Sequence, residues 1–133
     1  MNDYEIVTSN RAPKRKGNTI SVTKQGFRFN SGFIETEELS NHTAVQILYK
    51  KLPRKGMLET AFKFLMKYER SKGNRIRRLT KRGAARVVKP SNFYETNNID
   101  VAKALGKQKP VRKKHKKWGY IYVIKLPIKV KRH

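Results

Sequence analysis

The chain has 133 residues, of which 33 are Lys or Arg and 9 are Asp or Glu, so its formal net charge is +24 at pH 7. It has no apolar run long enough to span a bilayer, no apolar stretch typical of a secretory signal near residue 1, and no cysteine. These features argue against a membrane protein, a secreted disulfide scaffold and thiol chemistry, and they fit a cytoplasmic protein. Because such an excess of positive charge repels itself unless a polyanion offsets it, we expect a nucleic-acid partner and no membrane partner.

Residues 1–18 predict a basic N-terminal arm. The stretch RAPKRKG at 11–17 has no apolar periodicity and precedes the first predicted strand. Its cations Lys14, Arg15 and Lys16 would lie along phosphates or enter a minor groove, and an exposed linker is the alternative. Residues 19–133 are then expected to form a single domain.

The segment 19–29 predicts a β-hairpin. Apolar and polar residues alternate before Gly26 and again after it, which is typical of two half-buried strands. Glycine between them predicts a turn with a positive φ. Asn30 and Ser31 then begin a short helix that ends near Glu38.

A second strand pair is predicted after this helix. Residues 44–51 are rich in β-forming side chains, and Pro53 and Gly56 supply a loop. The segment TAFKFLMKYER at 60–70 fits a helical stripe and a strand alternation equally well, so periodicity alone leaves it open.

The second half of the chain predicts a similar series of elements. We predict two basic strands, NRIRRLT at 74–80 and AARVVK at 84–89, followed by a turn of helix that begins at Pro90. A turn at 118–119 precedes the clearest strand of the chain, 120–126.

Two motifs occur twice and in the same order: Thr-Lys-x-Gly at 23–26 and 80–83, and Phe-x-Glu-Thr at 33–36 and 93–96. This repeat predicts a duplication with halves at about 19–68 and 75–126, and two repeats are too few for a solenoid. If the halves match, the segment at 60–70 is also a strand. Phe33 and Phe93 are then expected to be equivalent buried residues. The predicted fold is mainly β, a small pseudo-two-fold barrel of two β-β-short α-β-β halves.

The order of these elements resembles the AbrB-like swapped-hairpin DNA-binding domains. The stretch RVVKP at 86–90 looks like the family's basic strand and proline. The resemblance implies two interlocking units, here both on one chain, that form a small DNA-binding barrel. The family's basic residues near the glycine turn correspond to Lys24, Arg28, Lys81, Arg82 and Arg86. The helices depart from the family, because they carry Glu35, Glu37, Glu38, Tyr94 and Glu95 where members often have arginines.

Catalytic chemistry has little support in the sequence. His42, His115 and His133 are not spaced for a metal, and the glutamates at 35–38 are expected to complement the helix dipole and nearby lysines. No glycine-rich phosphate loop is present. We therefore expect a protein that is not an enzyme and needs no metal or cofactor, and a metal-independent ribonuclease using a histidine with a lysine is the remaining enzymatic alternative.

Basic residues of the N-terminal arm, of the strands around the two glycine turns and of one presumed hairpin tip are the predicted nucleic-acid contacts. They are Lys14, Arg15, Lys16, Lys24, Arg28, Arg75, Arg77, Arg78, Lys81, Arg82, Arg86, Lys89, Lys113, Lys114, Lys116 and Lys117. Trp118 would either stack on a base or pack at its turn, and packing is the expected role. Tyr120 and Tyr122 share a strand face and are expected in the core.

Two functions compete at this stage. The first is a non-enzymatic protein that binds duplex DNA mainly through phosphates, as a nucleoid-associated protein or a regulator of transcription. The second is an RNA-binding structural protein such as a ribosomal component. The duplication favours DNA, since a pseudo-two-fold surface matches the dyad of a duplex. The small size and extreme charge fit a phage-encoded product, and a homo-oligomer is compatible with the sequence.

Overall fold

The computed structural model describes residues 18–66, 74–78 and 84–129, with the backbone alone at 74, 75, 77 and 78. Residues 1–17 of the predicted arm and the motif at 80–83 lie outside these ranges. The predicted equivalence of Gly26 and Gly83 therefore stays a prediction. Among the described residues, no helix is both long and apolar enough to cross a membrane.

The fold is mainly β, as the sequence predicts. The strands are β1 (Ile20–Val22), β2 (Phe27–Phe29), β3 (Ala44–Leu52), β4 (Met57–Leu65), β5 (Asn74–Arg75), β6 (Arg77–Arg78), β7 (Arg86–Val88), β8 (Gly106–Gln108), β9 (Val111–His115) and β10 (Gly119–Pro127). The helices are α1 (Ser31–Thr36), α2 (Phe93–Thr96) and α3 (Val101–Ala104), and a 3-10 turn spans Pro53–Lys55.

The short strands form one antiparallel sheet, which we call sheet I, in the order β6-β7-β2-β1-β8. β1 and β2 pair as the predicted hairpin, and β2 joins β7 with Arg28 opposite Val87. Alternate residues of β1 and β2 are buried, so each strand has one face in the core and one face toward solvent.

The long strands form the second antiparallel sheet, sheet II, in the order β5-β3-β4-β10-β9. The segment around Phe62 is the strand β4, which confirms the strand interpretation and excludes the helical one. β10 lies between β4 and β9, so the predicted strand at 120–126 is an interior strand. Phe62 lies opposite Tyr122 and Ala61 opposite Val123.

The hydrophobic core lies between the inner faces of the two sheets. Phe27 and Phe29 of sheet I contact Phe62 of sheet II edge to face, with ring centroids 4.9 and 5.2 Å apart. Phe29 also contacts Phe64 at 4.9 Å. Burial of these rings supplies the apolar area and the aromatic geometry that hold the sheets together.

The helices α1 and α2 end in the same way. At the end of α1, Glu37 N donates to Phe33 O, Glu38 N to Glu35 O and Leu39 N to Ile34 O. At the end of α2, Asn97 N donates to Phe93 O, Asn98 N to Glu95 O and Ile99 N to Tyr94 O. Glu38 and Asn98 both have a positive φ, 57° and 55°, and the aliphatic residue after each is buried. A left-handed residue followed by a buried apolar one is a common way to end a helix.

Two sequence predictions need correction here. Phe33 is buried, whereas Phe93 is only partly buried at the edge of the core, so the two rings are not equally enclosed. Gly26 is not among the residues with a positive φ. A Cβ at Gly26 would overlap the carbonyl oxygen of Val88 and lie 3.0 Å from the Cα of Lys89, so close approach of β7 explains the glycine.

The described strands do not close into a ring. Sheet I ends at β6 and β8, and sheet II ends at β5 and β9. The barrel expected from the sequence therefore stays a prediction, while the mainly β architecture with paired hairpins is established.

Candidate nucleic-acid interface

A row of residues crosses the outer face of sheet I. Strand pairing aligns five positions across all five strands: Lys107, Ser21, Arg28, Val87 and Arg77. Residues directly opposite each other in a sheet share one face. Because the neighbours of Ser21 and Arg28 along their strands are buried in the core, this row lies on the solvent side.

Arg28 occupies the middle strand of this row and is exposed. Lys107 on β8 is also exposed, and Arg77 is described only by its backbone position opposite Val87. Lys24 and Lys89 lie just beyond the ends of β1 and β7 and are exposed too. We refer to Lys24, Arg28, Lys89 and Lys107 as the sheet I cations.

The hairpin that presents Arg28 is held by short polar contacts. Thr23 Oγ1 accepts a hydrogen bond from Gly26 N at 3.1 Å, and Thr23 N donates to Gly26 O at 2.9 Å. At the other end, the buried Asn30 donates through Nδ2 to Thr19 Oγ1 at 2.8 Å and to Ser21 Oγ at 3.0 Å. These contacts fix the register in which Arg28 faces outward.

No carboxylate is carried by the strands of sheet I. The acidic residues of the described part of the chain belong to the helical turns, their ends and β4; they are Glu35, Glu37, Glu38, Glu59, Glu95 and Asp100. Glu37 lies 3.4 Å from Arg112 of sheet II. The sheet I cations therefore form a positive surface without acidic residues on the same strands, which favours an anionic partner.

Arg86 is a correction to the predicted contacts, because its side chain belongs to the interior. The residue is 5% exposed, and its guanidinium donates to the backbone oxygens of Ser40 (3.1 Å), Ala84 and Ala85. It lies opposite the buried Phe29, so the alternation of β7 turns it away from the outer face. Arg86 thus connects β7 to the segment after α1 and cannot contact a phosphate as placed.

The second basic cluster lies on the β9–β10 hairpin. Lys113 and Lys114 on the edge strand β9, and Lys116 and Lys117 in the turn, are all exposed. His115 Nδ1 accepts hydrogen bonds from the backbone N of Lys117 and of Trp118, which stabilise the turn. This cluster is on a different sheet from the sheet I cations.

The aromatic residues of this hairpin divide between surface and packing. Trp118 is partly buried against Ala61, Ile121 and Val123 on the outer face of sheet II, which confirms the packing role. Tyr122 is buried, but Tyr120 is 53% exposed, so its predicted core position is wrong. The Tyr120 ring lies 4.9 Å from the guanidinium carbon of Arg112 and 5.8 Å from Lys114 Nζ, both within cation–π range.

Several predicted contacts lie beyond what the structure describes. Lys14, Arg15, Lys16, Lys81 and Arg82 fall outside the described ranges. For Arg75, Arg77 and Arg78 the structure gives strand positions only, in β5 and β6. In contrast, Lys107 was missed by the sequence interpretation, because its place beside Ser21 depends on the pairing of β8 with the distant strand β1.

Two tyrosines that pack against the core have raised pKa values. Burial raises the pKa of Tyr94 well above its ordinary value of 10.0. Burial, with the nearby carboxylate of Glu37, raises the pKa of Tyr122 to about 12. Among residues 18–66, 74–78 and 84–129, no group of three potential metal ligands was found. Neither shift poises a group for acid–base chemistry near neutral pH.

Comparisons with protein-family models, curated proteins and solved structures gave no match to this chain. The sheet I cations and the composition of the chain are therefore the features that indicate an anionic partner.

Proposed function

We propose that this protein is a non-enzymatic nucleic-acid-binding protein that binds duplex DNA mainly through phosphates. The main support for the proposal is the outer face of sheet I. The strands of this sheet carry no acidic residue, and Arg28 is exposed on its middle strand. Lys107 on β8 adds to this positive surface, as do Lys24 and Lys89 just beyond the ends of β1 and β7. The net charge of +24 supplies long-range attraction to a polyanion.

The size of this face favours contact with phosphates over insertion into a groove. Neighbouring strands are about 4.8 Å apart, so four spacings span about 19 Å. The major groove of B-DNA is about 12 Å wide and admits a helix or a two-stranded ribbon. A five-stranded face would therefore lie across the backbone phosphates, and such contacts give little base preference.

A pseudo-two-fold arrangement of duplicated halves is part of the proposal, as is the AbrB-like barrel. Two residue pairs support the pseudo-two-fold arrangement. Arg28 lies opposite Val87 and Ala61 lies opposite Val123, and each pair is compatible with a local two-fold axis between its antiparallel strands. The matched hydrogen bonds at the ends of α1 and α2 agree with it. A two-fold surface suits the dyad of duplex DNA. We propose the role of a transcription regulator or nucleoid-associated protein, encoded by a phage and located in the cytoplasm.

An RNA-binding structural role is the second candidate. Tyr120 supports it, because an exposed ring flanked by Arg112 and Lys114 resembles the stacking platforms that bind unpaired bases. Unpaired bases are far more common in folded RNA than in a DNA duplex, so preference for RNA would favour this role.

A salt titration tests the proposal with three proteins: wild type, Arg28→Ala/Lys107→Ala, and the control Lys50→Ala/Lys125→Ala. The control removes two exposed cations from strands of sheet II. Affinity is measured for DNA and RNA, each as a duplex and as a single strand of about 20 nucleotides per strand, at about 50 and 200 mM salt.

If wild type neutralises about six to ten phosphates, its affinity for duplex DNA should fall about 10³–10⁵-fold between the two salt concentrations. The sheet I variant should bind duplex DNA about 10–100-fold more weakly than wild type, and the slope of its affinity against salt should be smaller by about two. The affinity and the salt slope of the control should change far less. Equal losses in both variants would mean that only net charge matters. Tighter binding of RNA by wild type would favour the second candidate.

A further inference from the structure

A basic groove lies between the β3–β4 loop and the C-terminal end of α2. We call it the loop groove; its volume is about 810 Å³. Among the residues that the structure describes, its lining includes the cations Lys51, Arg54, Lys55 and Lys129 and no carboxylate. None of the described lining residues belongs to a strand of sheet I, so the groove is built from other elements than the sheet I cations.

The walls of the loop groove are joined by backbone hydrogen bonds. Ile128 N donates to Gly56 O at 2.9 Å, and Lys129 N donates to Asn98 O at 2.9 Å. Gly56 N donates to Pro53 O at 3.2 Å within the loop. The groove is thus largely preformed, which reduces the ordering cost of binding.

A second groove, of about 340 Å³, lies in the corresponding position between the β9–β10 turn and the end of α1. Glu37 and Glu38 line it, whereas Asn97 and Asn98 stand at the matching positions of the loop groove. The Glu37 carboxylate lies 3.4 Å from Arg112 and accepts a hydrogen bond from the Tyr122 hydroxyl.

The two grooves therefore differ in charge although their helix ends have the same backbone pattern. In the second groove, the negative charge of Glu37 offsets the positive charge of Arg112. In the loop groove, neutral amides stand where the second groove has carboxylates, so Lys51, Arg54, Lys55 and Lys129 have no acidic partner among its described lining residues. An uncompensated cluster of this kind attracts anions, and phosphates match both Lys and Arg.

We propose that the loop groove binds the phosphate backbone of a second duplex DNA segment, so that one molecule joins two segments. This inference rests on the proposed function, in which the sheet I cations bind the first segment. A preformed basic groove built from other elements supplies the second contact without base readout.

The test measures bridging and simple binding separately, with the full chain. Bridging is followed by energy transfer between two duplexes that carry a donor and an acceptor dye, and affinity for one duplex is followed by fluorescence anisotropy. The groove variant is Arg54→Glu/Lys55→Glu. Its matched control, Lys50→Glu/Lys125→Glu, makes the same charge change at two exposed positions of sheet II outside the described lining of the groove.

Wild type should bridge the duplexes. At equal DNA occupancy, the bridging signal of the groove variant should be lower by about tenfold or more than that of wild type. Its affinity for a single duplex should fall no more than that of the control. Sedimentation of the free proteins checks their oligomeric state, because a dimer joining DNA through two sheet I faces would bridge without Arg54 and Lys55.

Four outcomes would overturn the inference: no bridging by wild type, full bridging by the groove variant, an equal loss in the control, or a loss of single-duplex affinity as large as the loss of bridging. The proposed function fails separately, if wild type does not bind duplex DNA or binds it without dependence on Arg28 and Lys107. Binding that needs these two residues, without bridging, would leave the proposed function standing.

Discussion

The side-chain hydroxyl of Tyr94 donates a 2.6 Å hydrogen bond to the carbonyl oxygen of Gly26. This contact joins α2, from the second half of the chain, to the turn between β1 and β2. Burial raises the pKa of Tyr94, so the phenol keeps the proton it donates. Gly26 is also the point where β7 approaches the hairpin, because a Cβ there would overlap the Val88 carbonyl oxygen.

Gly26→Ala is expected to lower the free energy of unfolding by about 2–3 kcal/mol, because the added methyl group must displace the backbone of β7. Urea denaturation followed by circular dichroism measures the change. Gln25→Ala, at the exposed neighbouring position, is the control and should change stability by less than about 0.5 kcal/mol. Equal values for the two variants would show that the turn moves freely.

Phe33→Ala should destabilise the fold more than Phe93→Ala. Phe33 is 1% exposed and contacts Tyr122 at 5.0 Å, so truncation should cost about 3–5 kcal/mol. Phe93 is partly buried at the edge of the core, and about 1–2 kcal/mol is expected from its smaller buried area. Denaturant melts of both variants give the comparison, and a larger loss for Phe93→Ala would contradict the burial difference.

Arg86→Lys should reduce stability without changing how the folded protein binds DNA. The guanidinium donates to three backbone oxygens, and a lysine ammonium cannot reproduce this planar geometry, so a loss of about 1–3 kcal/mol is expected. Thermal melts and duplex titrations below the melting temperature separate the two effects. Arg28→Lys, at an exposed position, should leave stability nearly unchanged. A flattened salt slope in Arg86→Lys would instead mean that Arg86 reaches a phosphate.

Stability should depend on Tyr122 at alkaline pH. The pKa of Tyr122 is raised from 10.0 in the unfolded reference to about 12 in the fold, so the folded state holds this proton more tightly. The resulting stabilisation is fully present below about pH 10 and is lost as the pH rises from about 10 to about 12.

Other groups also titrate in this range, so the measurement compares wild type with Tyr122→Phe. Over pH 9 to 12, wild type should lose more unfolding free energy than the variant. Tyr120→Phe, at an exposed position, should follow wild type. Parallel curves for wild type and Tyr122→Phe would show that the buried phenol does not couple folding to pH.

The sequence alone determined most of the secondary structure, because that information is local. Apolar alternation predicted β1 and β2, β-forming side chains predicted β3, and the apolar run after the turn at 118–119 predicted β10. The repeated Phe-x-Glu-Thr marked two helical turns, whose ends have matching hydrogen bonds in the structure. The ambiguous segment around Phe62 was also predicted as a strand, once the repeat was used to compare the halves. The net charge of +24 predicts a polyanionic partner, and this stays a prediction.

Only the tertiary structure decided which basic and aromatic residues reach the surface. Arg86 and Arg28 both lie in short basic strands, yet Arg86 is turned into the core and Arg28 outward. Tyr120 and Tyr122 share a face of β10, but only Tyr122 is covered by the core. Lys107 joins the sheet I cations because β8 pairs with β1, a partner far away in sequence. Strand pairing and burial are set by contacts between distant segments, so a local pattern predicts that a residue is in a strand but not which surface it serves.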